Sequence, residues 1–432
     1  MLRNNILLST FTKAVGLITS FLIVPVTLGY LDKEQYGIWM TLSSILLWFS
    51  YFDVGLGNGM RNYLSQSISL GDYEKARIYI STTFTMLSII ASVLIIISAS
   101  FAVCLDLNKI FNTTAIDGQS LKESVLVAVV LTLILFVVKN VGMVYVAMQR
   151  YAINDILIVL GYALALVFVY IITKTTKTNL LYVVFAFSAT PLIIFIIAAT
   201  ILFKKHPEFR PSLKYIDKYF GKQILTKGLG FFFIQISSCL IIFGCANVFI
   251  AQAVGQEAVT LYNIAYRFFN LLVIAYTIVV APMWNAYTDA YVKHDYTWIR
   301  LTLYRALCIW GLTLAVGTCM LFVSNIFYHL WIGDSVIIPF SVSFYVFIYI
   351  SFFNLNNCAT ALINGVNKIH IQILTSALFT MLYLVAVLLW GVQHGIEGIT
   401  ICMAGSYAAM SIIHLYQCKL IIQQKATGIW NK

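Results

Sequence analysis

The chain has 432 residues, of which 61% are hydrophobic and only 10% are charged, and its formal net charge is +11. A soluble globular protein is about 45–50% apolar and about 25% charged, so this composition excludes a water-soluble protein. The mean hydropathy is +0.90, and the apolar segments run for about 20 residues without the alternation of strands. We therefore predict an all-α integral membrane protein.

Windows of about 20 apolar residues predict twelve membrane-spanning helices. In chain order the first six cover 10–30, 36–58, 80–103, 124–147, 153–173 and 180–203. The last six cover 229–253, 259–283, 302–326, 339–364, 371–391 and 397–417. We expect an N-terminal six-helix lobe over 1–203, a linker over 204–228, and a C-terminal lobe over 229–432 that ends in a short cytoplasmic tail.

The basic residues indicate how these spans are oriented. If both termini are cytoplasmic, 20 of the 27 Lys and Arg residues lie in cytoplasmic segments, five lie outside and two lie within the membrane. Such an excess of Lys and Arg is typical of cytoplasmic loops. Because the positive charge is spread over short loops, it reflects topology and does not predict nucleic-acid binding.

The linker has an amphipathic pattern. Four apolar residues share one helical face and three lysines share another: Leu213, Ile216, Phe220 and Ile224, against Lys214, Lys218 and Lys222. This pattern predicts a helix over 204–228 that lies in the headgroup layer against anionic lipid.

The sequence repeats itself at an offset of 223 residues. MRNYLSQSISLGDYEKAR (60–77) aligns without gaps with MWNAYTDAYVKHDYTWIR (283–300) and is identical at five positions, whereas about one match in 18 is expected by chance. Both segments are predicted to be cytoplasmic loops, after spans two and eight. The two bundles are therefore expected to be related by a pseudo-two-fold axis around a central cavity, the geometry of an alternating-access transporter.

Two basic residues are predicted to lie within the membrane. Lys139, in LILFVVKNVGMVYVAMQRY (133–151), is about 12 Å from the cytoplasmic edge at 1.5 Å per residue, and Arg267 is about as far from the outer edge of span eight. An ionised residue near the bilayer centre costs about 2.5–3.5 kcal/mol. Each side chain either reaches the nearest interface or a carboxylate, or lines a hydrated cavity for an anionic cargo.

Polar faces on several spans favour the cavity. The polar residues that share helical faces on spans one, eight and ten are Lys13, Ser20 and Thr27; Thr260, Asn263, Arg267 and Asn270; and Asn354, Asn357 and Asn364. Such faces imply a shared hydrated cleft. Its fixed charges are expected to be positive, which selects an anionic cargo.

Few other residues in the membrane are chemically distinctive. Asp53, at the cytoplasmic end of span two, either braces Arg61 or a helix end, or carries protons. Pro25 and Pro282 can kink spans one and eight, either for gating or as ordinary packing kinks. The eight cysteines are scattered without ligand spacing, so we expect no metal site, disulfide or cofactor.

Five segments of the chain carry a family resemblance: TLGYLDKEQYGIWMTL (27–42), FDVGLGNGMRNYLS (52–65), GDYEKAR (71–77), PMWNAYTDA (282–290) and INGVNKIHIQ (363–372). They resemble polysaccharide transporters of the O-antigen flippase type, in the multidrug/oligosaccharidyl-lipid/polysaccharide exporter superfamily. The resemblance implies two six-helix lobes in a bacterial inner membrane. It also implies alternating-access transfer of an undecaprenyl-pyrophosphate-linked oligosaccharide from the cytoplasmic to the outer leaflet, for O-antigen or capsule.

The resemblance also suggests site residues and partners. In the related lipid II flippases, cationic residues on spans one, two and eight face the cavity, and Lys13, Arg61 and Arg267 occupy comparable spans here. Relatives often place an acidic residue in span seven, where this chain has Asn247. A polysaccharide polymerase and a chain-length regulator are the partners that the family implies, besides the lipid-linked oligosaccharide and membrane lipid.

Two alternatives belong to other functional classes. A multidrug or cation antiporter of the same superfamily needs acidic groups in mid-cleft, and the sequence places none there. A polysaccharide polymerase or ligase needs a long external loop with catalytic groups, but the longest one, about 104–123, has no histidine and no paired carboxylates. We therefore predict a transporter rather than an enzyme.

Overall fold

The computed structural model describes residues 2–53, 55–235 and 244–431. Within these ranges the regular elements are all helical. The chain divides into two compact units, Met1–Phe233 and Ile234–Lys432.

The described part of the first unit is a series of helices joined by short turns. They are α1 (Leu2–Tyr30), α2 (Lys33–Phe49), α3 (Leu56–Leu70), α4 (Tyr73–Cys104), α5 (Leu107–Phe111), α6 (Gly118–Val138), α7 (Val141–Ala147), α8 (Tyr151–Thr175) and α9 (Leu180–Lys205), with α10 (Lys218–Gln235) at the boundary. Within the described residues of the second unit the helices are α11 (Ala246–Ala253), α12 (Gln256–Val292), α13 (Tyr296–Ile332), α14 (Phe340–Gly365), α15 (His370–Ala386) and α16 (Gly395–Ile422).

Nine helical stretches of the described residues are long and apolar enough to cross a membrane, or ten if the bent pair α2–α3 is one span. One of the nine, His370–Ile422, has 53 residues, or about 80 Å at 1.5 Å per residue. The hydrocarbon core is only about 30 Å thick, and Gly395, with a φ of +62°, separates this stretch into α15 and α16. Predicted span seven (229–253) includes 236–243, which lie outside the described residues, so the number twelve stays a prediction.

Aspartates begin several of the helices. Asp32, Asp72 and Asp117 each accept a hydrogen bond from the backbone N–H three residues further on, at 2.7, 3.0 and 2.9 Å. A carboxylate at this position satisfies an N–H that has no partner within the helix and lies at the positive end of the helix dipole. Two of these aspartates belong to YLDKEQYG and GDYEKAR, so these motifs encode helix starts.

The internal repeat has the same local geometry in both units. Asp295 accepts a hydrogen bond from the N–H of Trp298 at 2.9 Å and so begins α13 as Asp72 begins α4. The residue before each aspartate, Gly71 or His294, has a positive φ of 72° or 56°. The repeat therefore encodes the same helix–turn–helix junction twice.

The prediction that these two segments are loops is wrong. Helix α3 continues to Leu70 and α12 to Val292, so only short turns separate them from α4 and α13. In the first unit, Met60 and Leu64 are fully buried in a core that includes Ile80. Their spacing continues the helical period, and this burial stabilises helix where the polar composition suggested a loop.

The helix predicted over 204–228 is wrong for its first half. Two 3₁₀ turns, Pro207–Phe209 and Leu213–Tyr215, precede α10, which begins only at Lys218. Pro207 and Pro211 lack a backbone N–H and disfavour helix in the residue before them. The predicted apolar face is also divided, because Phe220 is buried while Leu213 is 79% exposed.

The linker is anchored to the start of α4. The Nε atom of Arg77 donates to the backbone carbonyl of Arg210 at 3.0 Å, and the Arg77 guanidinium lies 4.4 Å from the ring centroid of Tyr215. Two linker N–H groups donate to the hydroxyls of Ser81 and Thr82, at 3.0 and 2.9 Å. These contacts hold the non-helical segment against the first unit.

Candidate substrate site at two broken helices

The second membrane span is broken near its C-terminal end. Helix α2 ends at Phe49, a 3₁₀ turn covers Ser50–Asp53, and α3 begins at Leu56 at an angle of 41°. Gly55 has a φ of +73°, which L-residues with a side chain rarely adopt. Gly55, the first glycine of FDVGLGNG, therefore permits the chain to change direction here.

Asp53 stabilises this break. Its Oδ1 atom accepts a hydrogen bond from the N–H of Gly57 at 3.1 Å, in the first turn of α3. Of the two bracing roles expected for Asp53, the contact with a helix end is therefore observed. The guanidinium of Arg61 instead donates to Oδ1 of Asn62 at 3.1 and 3.3 Å.

In the fourth span the helix is interrupted at Lys139 and Asn140, between α6 and α7, although Gly118–Ala147 remains one membrane-spanning stretch. The N–H of Asn140 donates to the carbonyl of Val137 at 3.2 Å, whereas a regular helix would direct it to Phe136. The carbonyl of Phe136 accepts instead from Nδ2 of Asn140, at 2.9 Å. The side-chain amide thus satisfies a carbonyl that the break would leave unpaired inside the membrane.

The two breaks meet inside the first unit. A Cβ atom on Gly57 would overlap Oδ1 of Asn140 and lie 3.3 Å from Oδ2 of Asp53. Glycine at position 57 therefore allows α3 and the fourth span to approach closely. On the other side of the break, Gly142 makes the same kind of close approach to the amide of Asn154 in α8.

Lys139 lies at this meeting point. Its Nζ atom is 5.6 Å from the ring centroid of Phe136, a cation–π distance. Asp53 is close enough to interact electrostatically, but among the described residues no carboxylate lies within the 4.0 Å of a direct ion pair. The break in span two thus brings a carboxylate, that of Asp53, towards Lys139.

This geometry gives the ammonium group a defined chemistry. Lysine has three N–H donors and no acceptor, and the Phe136 ring occupies one side of it. An ammonium held in a half-buried site near a carboxylate, but not bonded to it, can donate to an incoming phosphate or carboxylate oxygen. The same pair can also exchange a proton or hold water.

The other predicted residues of the first unit lie apart from this contact. Lys13 is exposed on α1. Pro25 is half-buried inside the same helix, which continues through it to Tyr30. Arg61 is half-buried on α3, one turn after Gly57.

In the second unit the predicted polar stripe lies on α12. Nδ2 of Asn263 donates to Oδ1 of Asn247 at 2.9 Å and to the carbonyl of Val259 at 2.8 Å. Asn263 therefore serves packing between α11 and α12. Arg267 and Asn270 are half-buried further along the stripe, and Pro282 is exposed near the end of the helix.

A buried polar cluster of the second unit was missed by the sequence analysis. The ring of His414 in α16 is fully buried, with its nitrogens 2.8 Å from Oγ1 of Thr375 and 2.8 Å from Oδ1 of Asn356. The sequence signal was available, since Gln372, Thr375 and Ser376 recur at the spacing of one helical face, as do Ser411, His414 and Gln417.

The fold resembles that of solved multidrug transporters. An inward-facing multidrug resistance MATE family transporter of the MOP superfamily superimposes with a TM-score of 0.78 and 16% identity, over 96% of this chain and 98% of that chain. An outward-facing conformation of such a transporter gives a TM-score of 0.67 at 15% identity, over 98% and 96%. The predicted all-α membrane fold is confirmed.

The sequence comparisons define the family. The profile of the polysaccharide biosynthesis protein family matches residues 2–284, so the chain belongs to this family. A Salmonella typhi protein named "Putative O-antigen transporter" is 22% identical over 340 residues, which cover 76% of this chain and 74% of that protein. The resemblance inferred from the five motifs is confirmed, and the chain is a multi-pass membrane protein.

Proposed function

We propose that this protein flips an undecaprenyl-pyrophosphate-linked oligosaccharide from the cytoplasmic to the outer leaflet of a bacterial inner membrane by alternating access. Its membership of the polysaccharide biosynthesis family and the name of its Salmonella typhi relative support a lipid-linked glycan as cargo. The likeness to MATE transporters supports transport rather than catalysis.

The observation that carries the proposal is the position of Lys139 where two broken spans meet. Charged residues within membranes are rare and mark substrate or ion pathways, and interrupted helices in transporters occur at binding sites. The Lys139 ammonium lies beyond ion-pair distance from the nearby carboxylate of Asp53. We propose that this ammonium group binds the pyrophosphate of the cargo.

Asp53 makes this assignment more specific. Without cargo, the carboxylate partly balances the ammonium and lowers the cost of a charge in the membrane. With cargo, a phosphate oxygen takes the donors of Lys139, while Asp53 keeps its hydrogen bond to the N–H of Gly57. The resting site is thus close to neutral, which favours release of the anion after each cycle.

The remaining parts of the cargo require other groups. We propose Lys13 and Arg61 of the first unit as further contacts of the pyrophosphate. In the second unit we propose Arg267 as a cationic group and Asn270 as a hydrogen-bonding group for the cargo. Asn263 is already bonded to Asn247, and we propose that it orients the stripe rather than binds sugar. The prenyl chain stays in lipid, and bending at Pro25 and Pro282 accompanies opening of the cavity.

The membrane potential can supply the driving force. An inside-negative potential favours outward movement of an anion by about 2.3 kcal/mol per charge per 100 mV. If the protein cations remain in place while the cargo moves, the net charge that crosses is that of the cargo. Both termini are proposed to be cytoplasmic, and a polymerase and a chain-length regulator are proposed to act on the product.

The test uses cells whose surface polysaccharide depends on this protein. Lys139→Met should abolish surface glycan and accumulate the lipid-linked precursor, whereas Lys139→Arg should retain most of it. Lys174→Met is the matched control, because Lys174 also lies over an aromatic ring, Tyr170 at 5.9 Å, but is exposed at the end of α8. Normal glycan in an inserted Lys139→Met protein would refute the assignment.

A second candidate is a multidrug or cation antiporter of the same superfamily. One observation favours it, namely the half-buried carboxylate of Asp53 beside Lys139. An antiporter would use that carboxylate for its cation, so Asp53→Asn should abolish drug resistance in cells and leave surface glycan unaffected. For a stable Asp53→Asn variant, the flippase proposal expects unchanged drug resistance and a lower amount of surface glycan.

A further inference from the structure

A groove on the surface of the first unit lies between the end of α6 and the last turns of α9, two helices in stretches that are long and apolar enough to cross a membrane. Its volume is about 400 Å³. The walls are apolar, and the residues that form them are Val138, Ile196, Ala199 and Phe203. Ile196 and Lys204 are eight residues apart on α9, so the groove runs for about 12 Å along that helix.

Two cations close one end of the groove. Lys204 is in the last turn of α9, and Arg210 follows the first 3₁₀ turn of the linker. Both are exposed, and within the described ranges neither forms a direct ion pair. The carboxylate of Glu208, which lies between them in sequence, is bonded to His206 at 2.9 Å.

The position of the cationic end is built into the fold. The backbone carbonyl of Arg210 accepts the hydrogen bond from Nε of Arg77, so the linker is held where it turns away from α9. Thr200, the remaining polar side chain of the groove, donates its hydroxyl hydrogen to the carbonyl of Ile196 at 2.9 Å. The groove therefore combines an apolar channel with one basic end.

We propose that this groove binds an anionic phospholipid of the leaflet that the positive-inside bias assigns to the cytoplasm. The phosphate would lie between Lys204 and Arg210, and one acyl chain would follow the apolar wall. Basic pockets between membrane helices on the cytoplasmic side bind lipid headgroups in this way. A soluble phosphate would gain nothing from the apolar walls, and a zwitterionic lipid would gain less from two cations.

The site is adjacent to the broken fourth span. Val138, which forms part of the groove wall, is the last residue of α6 and directly precedes Lys139. A bound acyl chain would therefore pack against the outer side of the break. The proposal does not depend on the transported substrate, since lipid binding can be measured without transport.

The first experiment titrates purified full-length protein in detergent with phosphatidylglycerol or phosphatidylcholine of the same chain length, with bound lipid counted by native mass spectrometry. Each basic residue near a membrane surface contributes about 1 kcal/mol of attraction to anionic lipid, so Lys204→Ala with Arg210→Ala should weaken phosphatidylglycerol binding about thirtyfold. Lys174→Ala with Lys177→Ala, two exposed lysines outside the groove, is the matched control and should leave phosphatidylglycerol binding unchanged.

The second experiment fills the groove while keeping both cations. Ala199→Trp should abolish tight phosphatidylglycerol binding, whereas Ile197→Trp, at a neighbouring position that is 50% exposed outside the groove, should retain it. Circular dichroism of each variant reports whether the helices are intact. Equal binding of the two lipids, unchanged binding by the Lys204/Arg210 variant, or full competition by glycerol phosphate would each overturn the proposal.

Discussion

At the scale of single residues, Asp53 has two roles that substitution can separate. Its carboxylate accepts the hydrogen bond from Gly57 that begins α3, and its charge lies near the ammonium of Lys139. The first role needs only an oxygen acceptor, while the second needs a negative charge.

Asp53→Ala should therefore destabilise the protein by about 0.5–2 kcal/mol, the usual cost of removing a helix cap. Asp53→Asn keeps an oxygen acceptor and should cost less. Unfolding in detergent, followed by circular dichroism, measures both. Equal losses for the two variants would show that the charge, and not the hydrogen bond, stabilises the break.

Gly57 tests the contact between the two breaks. Gly57→Ala should destabilise the protein by about 1–3 kcal/mol, as overpacking of a close contact does, because the added Cβ overlaps Oδ1 of Asn140. Gly29→Ala is the matched control on α1, where a Cβ would meet nothing within 4 Å.

Adding Asn140→Ala to Gly57→Ala removes the atom that the new Cβ would strike. The two substitutions should then be non-additive, with a combined loss smaller than their sum. Strictly additive losses in the same unfolding measurement would contradict the close contact.

A site residue could be predicted from the sequence only where its polarity or charge differs clearly from that of its neighbours. Lys139 is conspicuous because a charge within an apolar run is expensive. Gly57 and Asn140 are ordinary in sequence, and their importance arises only because two distant segments meet. A polar stripe in sequence also does not reveal that a neighbouring helix supplies Asn247 as a hydrogen-bond partner of Asn263.

At the scale of elements, helix starts were encoded locally, whereas the helix break at Lys139 was not. Asp72 and Asp295 begin helices through hydrogen bonds three residues away, and such signals are visible in sequence. The break at Lys139 has no proline or glycine before it and is stabilised by the Asn140 amide. In the linker, two prolines prevent helix formation despite the helical spacing of the apolar residues. The first half of the predicted helix is absent for this reason.

Arg77 should determine the order of that linker. Arg77→Ala removes the hydrogen bond to the carbonyl of Arg210 and the contact with the Tyr215 ring. We expect faster hydrogen–deuterium exchange across 207–217 and no change in the membrane helices. Lys75→Ala, which removes only an exposed ion pair with Asp72, is the control. Unchanged exchange in the Arg77 variant would show that the linker is held by its other contacts.

At the scale of the whole molecule, the composition predicted a membrane protein, because soluble proteins carry about 25% charged residues, and the length of the apolar segments predicted helices. Orientation rests on the distribution of basic residues. In a protein with its native cysteines replaced, Lys218→Cys should react with a membrane-impermeant reagent only after the membrane is opened. Lys177→Cys should react in intact cells. The reverse pattern of labelling would show that the protein has the opposite orientation.

The central claim is that the cation at the meeting of two broken helices binds the cargo phosphate. The direct measurement is the rate at which proteoliposomes flip a polyprenyl-pyrophosphate oligosaccharide. A hydrogen bond to a charged group contributes about 1.5–3 kcal/mol, so Lys139→Met should slow flipping at least about tenfold, while Lys139→Arg and Lys174→Met flip at near the normal rate. Flipping by Lys139→Met at the rate of the unmodified protein would contradict the account.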